Sequence, residues 1–172
     1  MIKRTAARGG TVVVPAFAVG RTQAILHLIS ELKKADAIPD IPVFLNSPLG
    51  INATEIYAAH AGEHRLSPAQ CREIFNVAEF IRSEEASRAL NTNEGPCIIL
   101  AGSGMATGGR VVHHLRTLLP DPKNTVLLAG FQAPGTRGEA LQKGADDIKI
   151  FGEYVPVRAE VVDLDSMSAH GE

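Results

Sequence analysis

The sequence predicts an α/β fold, a largely parallel sheet with helices on both faces, and three observations lead there. Short β-branched runs that are apolar throughout recur at residues 11–14, 42–45, 96–100 and 126–129; strands buried on both faces read this way, where half-exposed strands alternate. Stretches with helical spacing separate them, the order expected of crossover units. Each run ends in a turn rich in Gly, Ser or Pro. In an open parallel sheet, ligands bind beyond the carboxyl ends of the strands, where these turns would lie.

The elements follow in order. Thr11-Val12-Val13-Val14 is a buried-type strand that stops at Pro15. From Gly20, Ile25, Leu28, Ile29 and Leu32 keep helical spacing. Pro42-Val43-Phe44-Leu45 is a second strand, broken by Asn46-Ser47-Pro48. Residues 52–61 read as a helix, and Pro68 sits early in another, where proline is tolerated. Residues 78–81 suit a short edge strand, and Ser83-Glu84-Glu85 starts a helix with acidic residues in its first turn. A third strong strand covers 96–100, followed by a loop over 101–109 and a helix over 110–119 that Pro120 stops. The fourth strand is 126–129 and a short helix spans 136–143. Strands at 148–151 and 155–164 complete the series.

Composition narrows the function classes. The 172 residues suffice for one domain with a full core, and no repeat or linker interrupts them. A net charge of −2 speaks against a broad nucleic-acid-binding surface, so a phosphate site must be local or shared with a partner surface. Cys71 and Cys97 form no C-x-x-C pattern, which argues against a disulfide framework or zinc knuckle. Cys97 opens an apolar run, as a buried reduced thiol would, and a cytoplasmic setting is expected. No apolar stretch approaches the roughly 18 residues of a membrane span, so no membrane partner is expected. The amino-terminal residues carry charge without the apolar core of a signal peptide.

Candidate motifs are weighed singly first. Gly102-Ser103-Gly104-Met105-Ala106-Thr107 follows a strand and precedes a helix, but Thr107 fills the third glycine position of a dinucleotide fingerprint, and Asp121, the nearest acidic residue at the right distance, lies in a Pro-flanked turn. A helix start that holds phosphate through backbone N–H groups fits better; a turn needing glycine only for its backbone angles is the plainer alternative. His60-Ala61-Gly62-Glu63-His64 matches a zinc pattern in letters, yet Gly62 would break the presenting helix and no third ligand is evident. His113 and His114 point about 100° apart on a helix, so one is expected to pack and the other to face solvent. Asn52-Ala53-Thr54 is a glycosylation sequon without signs of secretion. Arg21 stands at a helix start, where the dipole opposes a cation; it is either a phosphate ligand or a surface arginine.

Five blocks occur in a fixed order: Pro15-Ala16-Phe17-Ala18-Val19-Gly20-Arg21, Phe44-Leu45-Asn46-Ser47-Pro48-Leu49, Ser103-Gly104-Met105-Ala106-Thr107-Gly108-Gly109, Gly130-Phe131-Gln132-Ala133-Pro134-Gly135-Thr136, and Ser168-Ala169-His170. The series resembles the β-CASP branch of the metallo-β-lactamase superfamily, whose members include the endonuclease subunit of the messenger-RNA 3′-end cleavage complex. The resemblance implies a Rossmann-like cassette over residues 1–164. Residues 165–172 would begin the return into a metallo-β-lactamase domain that lies outside this chain. In such enzymes two zinc ions sit in an H-x-H-x-D-H site, a motif this sequence does not contain, so two zinc ions are expected in the full-length enzyme and none in this chain. RNA would be the partner, held through Arg21, Ser47, Ser103, Gly104, Met105, Thr107 and Ser168, with a homodimer left open. Two departures stand out: many relatives have aspartate at Asn46 and Ala-Asp where this chain has Gly171-Glu172.

The implied activity is phosphodiester hydrolysis in RNA processing, with this chain inactive alone. A stand-alone nucleotide-binding module and a noncatalytic scaffold of the same family are the alternatives. His170 falls on the family's Ser-Ala-His motif and is the expected catalytic residue, a proton donor to the leaving oxygen. Replacing it in the full-length protein, His170→Ala, is expected to lower turnover by about 10²–10⁴-fold with little change in RNA affinity. Single-turnover cleavage measures this, and a parental rate would remove His170 from the chemistry.

Overall fold

The computed structural model describes residues 1–63 and 66–164. Helix α1 (Ile2–Ala7) leads into β1 (Thr11–Pro15) and α2 (Arg21–Lys34). Then come β2 (Val43–Asn46), α3 (Pro48–Ala59), α4 (Pro68–Val77), β3 (Glu79–Phe80) and α5 (Glu84–Ala89). A single 3₁₀ turn, Leu90–Thr92, leads to β4 (Cys97–Ala101), α6 (Arg110–Leu118), β5 (Thr125–Leu128) and α7 (Arg137–Gln142). The hairpin β6 (Asp147–Ile150) and β7 (Glu153–Pro156) precedes β8 (Glu160–Asp163).

Among the described residues, six strands form one sheet in the order β3-β2-β4-β1-β5-β8. Every pairing in it is parallel. The central strand β1 sets the layers by alternation. Val13 joins Ile99, Val126 and Leu128 beneath α6 with Val111 and Leu115. Val12 and Val14 join Ile98 and Leu100 on the opposite face, under Ile25, Leu26 and Ile29 of α2, Ile51 of α3 and Ile74 of α4. Each large side chain so buried stabilises the fold by about 1.5–3 kcal/mol. Both faces are covered, which is why these strands read as continuous apolar runs.

Four expectations are adjusted. Helix α3 starts at Pro48 rather than Asn52, because Ser47 caps it by accepting from the Gly50 N–H at 3.1 Å and Pro48 takes the first helical position. In α2 the buried stripe runs through Thr22, Ile25, Leu26 and Ile29, while Leu28 is 43% exposed. The strand expected over 155–164 is two strands in separate sheets. Pro156 ends β7, whose partner β6 is antiparallel, and the Arg158 and Ala159 N–H groups turn away to the Leu119 carbonyl, both at 2.9 Å, before β8 joins β5. Helix α1 had no counterpart in the sequence reading; its one buried residue is a threonine.

Thr5 explains that helix. Its hydroxyl shares a hydrogen bond of 2.7 Å with Thr125 of β5 inside the protein. Just beyond α1, Arg8 donates to Thr125 Oγ1 at 2.8 Å, to the Lys123 carbonyl at 2.8 Å and to Glu160 of β8 at 2.9 Å. Arg4 also pairs with Glu160. The first helix therefore clamps the last strand to the sheet. The Arg4 guanidinium first, then that of Arg8, holds the Glu160 carboxyl below its ordinary 4.5. That stabilisation is complete above about pH 4.5 and disappears as pH falls through the lower folded value. Arg8→Ala is expected to cost about 1–3 kcal/mol in urea unfolding at pH 7, and Glu160→Gln to remove the acid-sensitive share; an unchanged midpoint for both would mean the clamp contributes nothing.

Candidate functional site

The carboxyl ends of β1, β2, β4 and β5 carry the loops the sequence singled out, and these loops enclose two adjoining recesses. One, of about 500 Å³, is lined by Phe17, Asn46, Ser47, Leu49, Ser103 and Arg110 among others. The second, of about 420 Å³, is lined by Phe17, Arg21, Met105, Gly130 and Phe131 among others. Phe17 is their common wall, and it and Phe131 are 44% and 49% exposed. A larger recess of about 610 Å³ lies at the opposite end of the strands, by Lys3, Ile38 and Pro96. Ligands of parallel sheets bind at the carboxyl edge, so the site is assigned there.

The 102–109 loop is braced from within. Ser103 Oγ accepts from the Thr107 and Gly108 N–H groups at 3.1 and 3.3 Å. The Val111 N–H, in the first turn of α6, donates to the Gly102 carbonyl at 2.9 Å. The Ser103, Thr107 and Gly108 amides are thus engaged within the loop, that of Ser103 with the Gly108 carbonyl at 3.3 Å, and the Ser103 hydroxyl is a brace. Gly109 has φ +71°, and a Cβ on it would lie 2.6 Å from the Gly102 oxygen, so glycine closes this turn. Gly104 is needed for another reason: a Cβ there would lie 2.6 Å from the Phe17 ring, so its smallness seats Phe17 rather than opening a path to the helix start. The neighbouring loop fastens on as well. Gln132 Nε2 donates to the Gly104 carbonyl at 3.2 Å, and the Gly138 N–H to the Met105 carbonyl at 3.0 Å.

Ser47, Ser103 and Gly104 thus meet at the first recess, and Arg21 and Met105 at the second. Thr107 is exposed and lines a different recess of about 510 Å³ with Arg137 and Lys149. Ser168, His170 and Glu172 lie outside the described residues. Arg21 is partly exposed, and its guanidinium has no hydrogen bond or ion pair among the described residues. Two other helices also begin with arginine, and both of those are tied to backbone. Arg110 Nη1 donates to the Ile81 carbonyl at 2.8 Å, and Arg137 Nε to the Lys149 carbonyl at 2.7 Å.

A buried polar group beneath the first recess was missed from sequence. Asn46, fully buried, donates through Nδ2 to Ser87 Oγ at 2.8 Å and to His114 Nε2 at 2.6 Å, while its Oδ1 accepts from Arg110 Nη1 at 2.8 Å. His114 donates from Nδ1 to Asn91 Oδ1 at 2.7 Å. The expected division of the histidine pair holds: His114 is buried, and His113 is exposed with its ring 4.8 Å from that of Phe151. The signal available in the sequence was Arg110 itself, a cation at a helix start directly after glycine, as at Arg21.

The other motifs take plain roles. His60 is exposed and pairs with Glu63 at 3.0 Å; His64 lies outside the described residues. Asp121 accepts from the Lys123 N–H at 3.0 Å in its turn. Cys71 and Cys97 are buried and in no disulfide, and burial pushes the Cys97 thiol up. Among the described residues, no three His, Cys, Asp or Glu side chains gather as a metal set. No helix among them is long and apolar enough to cross a membrane.

A doubly wound parallel sheet with its glycine-, serine- and proline-rich loops gathered at one edge defines an α/β cassette. Comparison with known proteins makes this particular: the Beta-Casp domain family matches residues 22–141, and the chain belongs to that family. It is 38% identical to an RNase J-like protein of Methanocaldococcus jannaschii, over 99% of this chain and 40% of that protein. It is 35% identical to Ribonuclease TTHA0252 of Thermus thermophilus, again over 99% of this chain and 40% of the relative. To Transcription termination factor FttA of Methanosarcina mazei it is 34% identical, over all of this chain and 29% of the relative. The chain therefore spans 40% or less of the length of these proteins.

The His114 arrangement has a pH signature. Burial above all, then the nearby His113 and Arg110 charges, push its pKa from the ordinary 6.5 down to about 4. The unfolded chain takes up this proton first as pH falls. The stability linked to His114 is therefore intact above about pH 6.5 and declines toward pH 4, by about 1.4 kcal/mol per pH unit. Urea unfolding at pH 7.5 and 5.0 is expected to show this loss, and His114→Gln to remove it. Equal slopes in the two proteins would mean that His114 is not held neutral.

Proposed function

We propose that this chain is the RNA-binding part of an RNA-processing hydrolase, with residues 1–164 as the β-CASP cassette and 165–172 leading toward a metallo-β-lactamase domain. The observation that carries the reading is Arg21: a guanidinium unpaired among the described residues, at the carboxyl edge of the sheet, in a recess it shares with the partly exposed side chains of Phe17 and Phe131. A planar cation suits a phosphate oxygen pair, and exposed aromatic faces suit unstacked bases. The names of two relatives, an RNase J-like protein and a ribonuclease, support RNA as the polymer.

In this reading the chain binds and orients. Arg21 engages a phosphate, and Ser47, Ser103 and Gly104 shape the neighbouring recess chiefly through the backbone they brace. Met105 and Thr107 flank the same loop. Ser168 and His170 come after β8 in sequence, and His170 is the proposed proton donor to a leaving oxygen. Hydrolysis would draw on two zinc ions held by residues outside this chain, and the cytoplasm is the proposed setting, in keeping with two buried cysteines that form no disulfide.

Arg21→Ala in the full-length protein is expected to weaken RNA binding and to reduce the slope of log K against log salt by roughly one phosphate contact. Fluorescence anisotropy with a labelled single-stranded RNA at several salt concentrations measures both. Parental affinity and slope in a folded variant would overturn the reading.

A further inference from the structure

We propose that Arg110 is a second phosphate contact of this edge, and that Asn46 positions it without neutralising it because residue 46 is an amide rather than a carboxylate. The inference rests on the RNA-binding reading above and adds a subsite to it.

Arg110 opens α6 and lines the first recess together with Asn46 and Ser47. Its guanidinium is fixed by neutral acceptors only: Asn46 Oδ1 and the Ile81 carbonyl from Nη1, and the Arg82 carbonyl from Nη2, each at 2.8 Å. A guanidinium carries five N–H donors, so Nε–H and one Nη2–H remain. No carboxylate forms an ion pair with it among the described residues. The α6 dipole and the Val111 N–H offer no compensation either, since the helix start is itself positive. The guanidinium is thus held in place and keeps its charge at the recess.

Asn46 creates that state. Its two N–H bonds meet acceptors, Ser87 Oγ and His114 Nε2, so its oxygen must face Arg110. His114, donating from Nδ1 to Asn91, is neutral as Nε2 accepts. No member of the group besides Arg110 then carries charge. An aspartate in the same position would place an anion 2.8 Å from Nη1, and the guanidinium would keep that carboxyl ionised. Whether or not His114 then took a proton, the cation facing the recess would have its own counter-ion and less attraction left for phosphate.

The test uses the full-length protein and the labelled RNA already described, with thermal melts to establish folding. Asn46→Asp is expected to weaken binding about tenfold, the scale of one charge-assisted hydrogen bond, and to lower the salt slope by roughly one. Arg110→Gln should do the same, and carries the test if Asn46→Asp does not fold; Arg110→Lys should recover the slope. If Arg21→Ala weakens binding while Asn46→Asp and Arg110→Gln keep parental affinity and slope, Arg110 only braces α6, and this inference is overturned while the RNA reading stands. A parental protein that binds no RNA, or an Arg21→Ala variant that binds normally, overturns the RNA reading and this inference with it.

Discussion

Burial of β1 on both faces is the constraint from which the rest of the molecule follows. Val12 and Val14 on one side and Val13 on the other admit no polar alternation, so helices must cover both faces and connections must cross over. Parallel strands then point all their carboxyl ends the same way. Segments distant in sequence, from Ala16 to Gln132, are delivered to one edge because the sheet interior leaves them nowhere else to go. The clamp of Arg4 and Arg8 on Glu160 extends the same logic to the outermost strand, β8. A strand paired along one edge only among the described residues needs an external tie, and the first helix supplies it.

At that edge the three arginines that open α2, α6 and α7 form a natural comparison. Each sits where the helix dipole is unfavourable to it, so each requires a compensating partner. Arg137 finds the carbonyls of Ala106, Thr107 and Lys149. Arg110 finds two carbonyls and the Asn46 amide. Arg21 finds none among the described residues. The glycine loop, by contrast, spends much of its hydrogen-bonding capacity on itself through Ser103. In the proposed reading, the phosphate contacts of this edge are accordingly side-chain cations.

How much of this was legible in the sequence depended on what kind of residue carried the information. The strong strands declared themselves because apolar β-branched runs have one reading in a covered sheet. Helix α1 did not, since its anchoring residue, Thr5, is polar and its partner Thr125 lies 120 residues away. The break between β7 and β8 was hidden by a run of valines, although Pro156 marked it. Arg21 was visible through the dipole argument, and the same argument applied unchanged to Arg110. What one sequence could not give was the meeting of Asn46, Ser87, Asn91, Arg110 and His114, whose hydrogen bonds join three separate segments.

That buried group also changes what the departure at position 46 means. Loss of a carboxylate looks, in sequence, like loss of a function. In the structure the amide fills every hydrogen-bonding requirement of its site, two donors to two acceptors and one acceptor to a cation, and it does so with His114 neutral. A carboxylate there would need a proton from somewhere to face His114 Nε2, because two acceptors cannot share the contact without one. Asparagine removes that requirement. The group can then remain fully satisfied across the pH range in which a carboxylate–imidazole pair would have to choose its protonation state. The single charge left in it stands at the recess, on Arg110, which lines it together with Asn46.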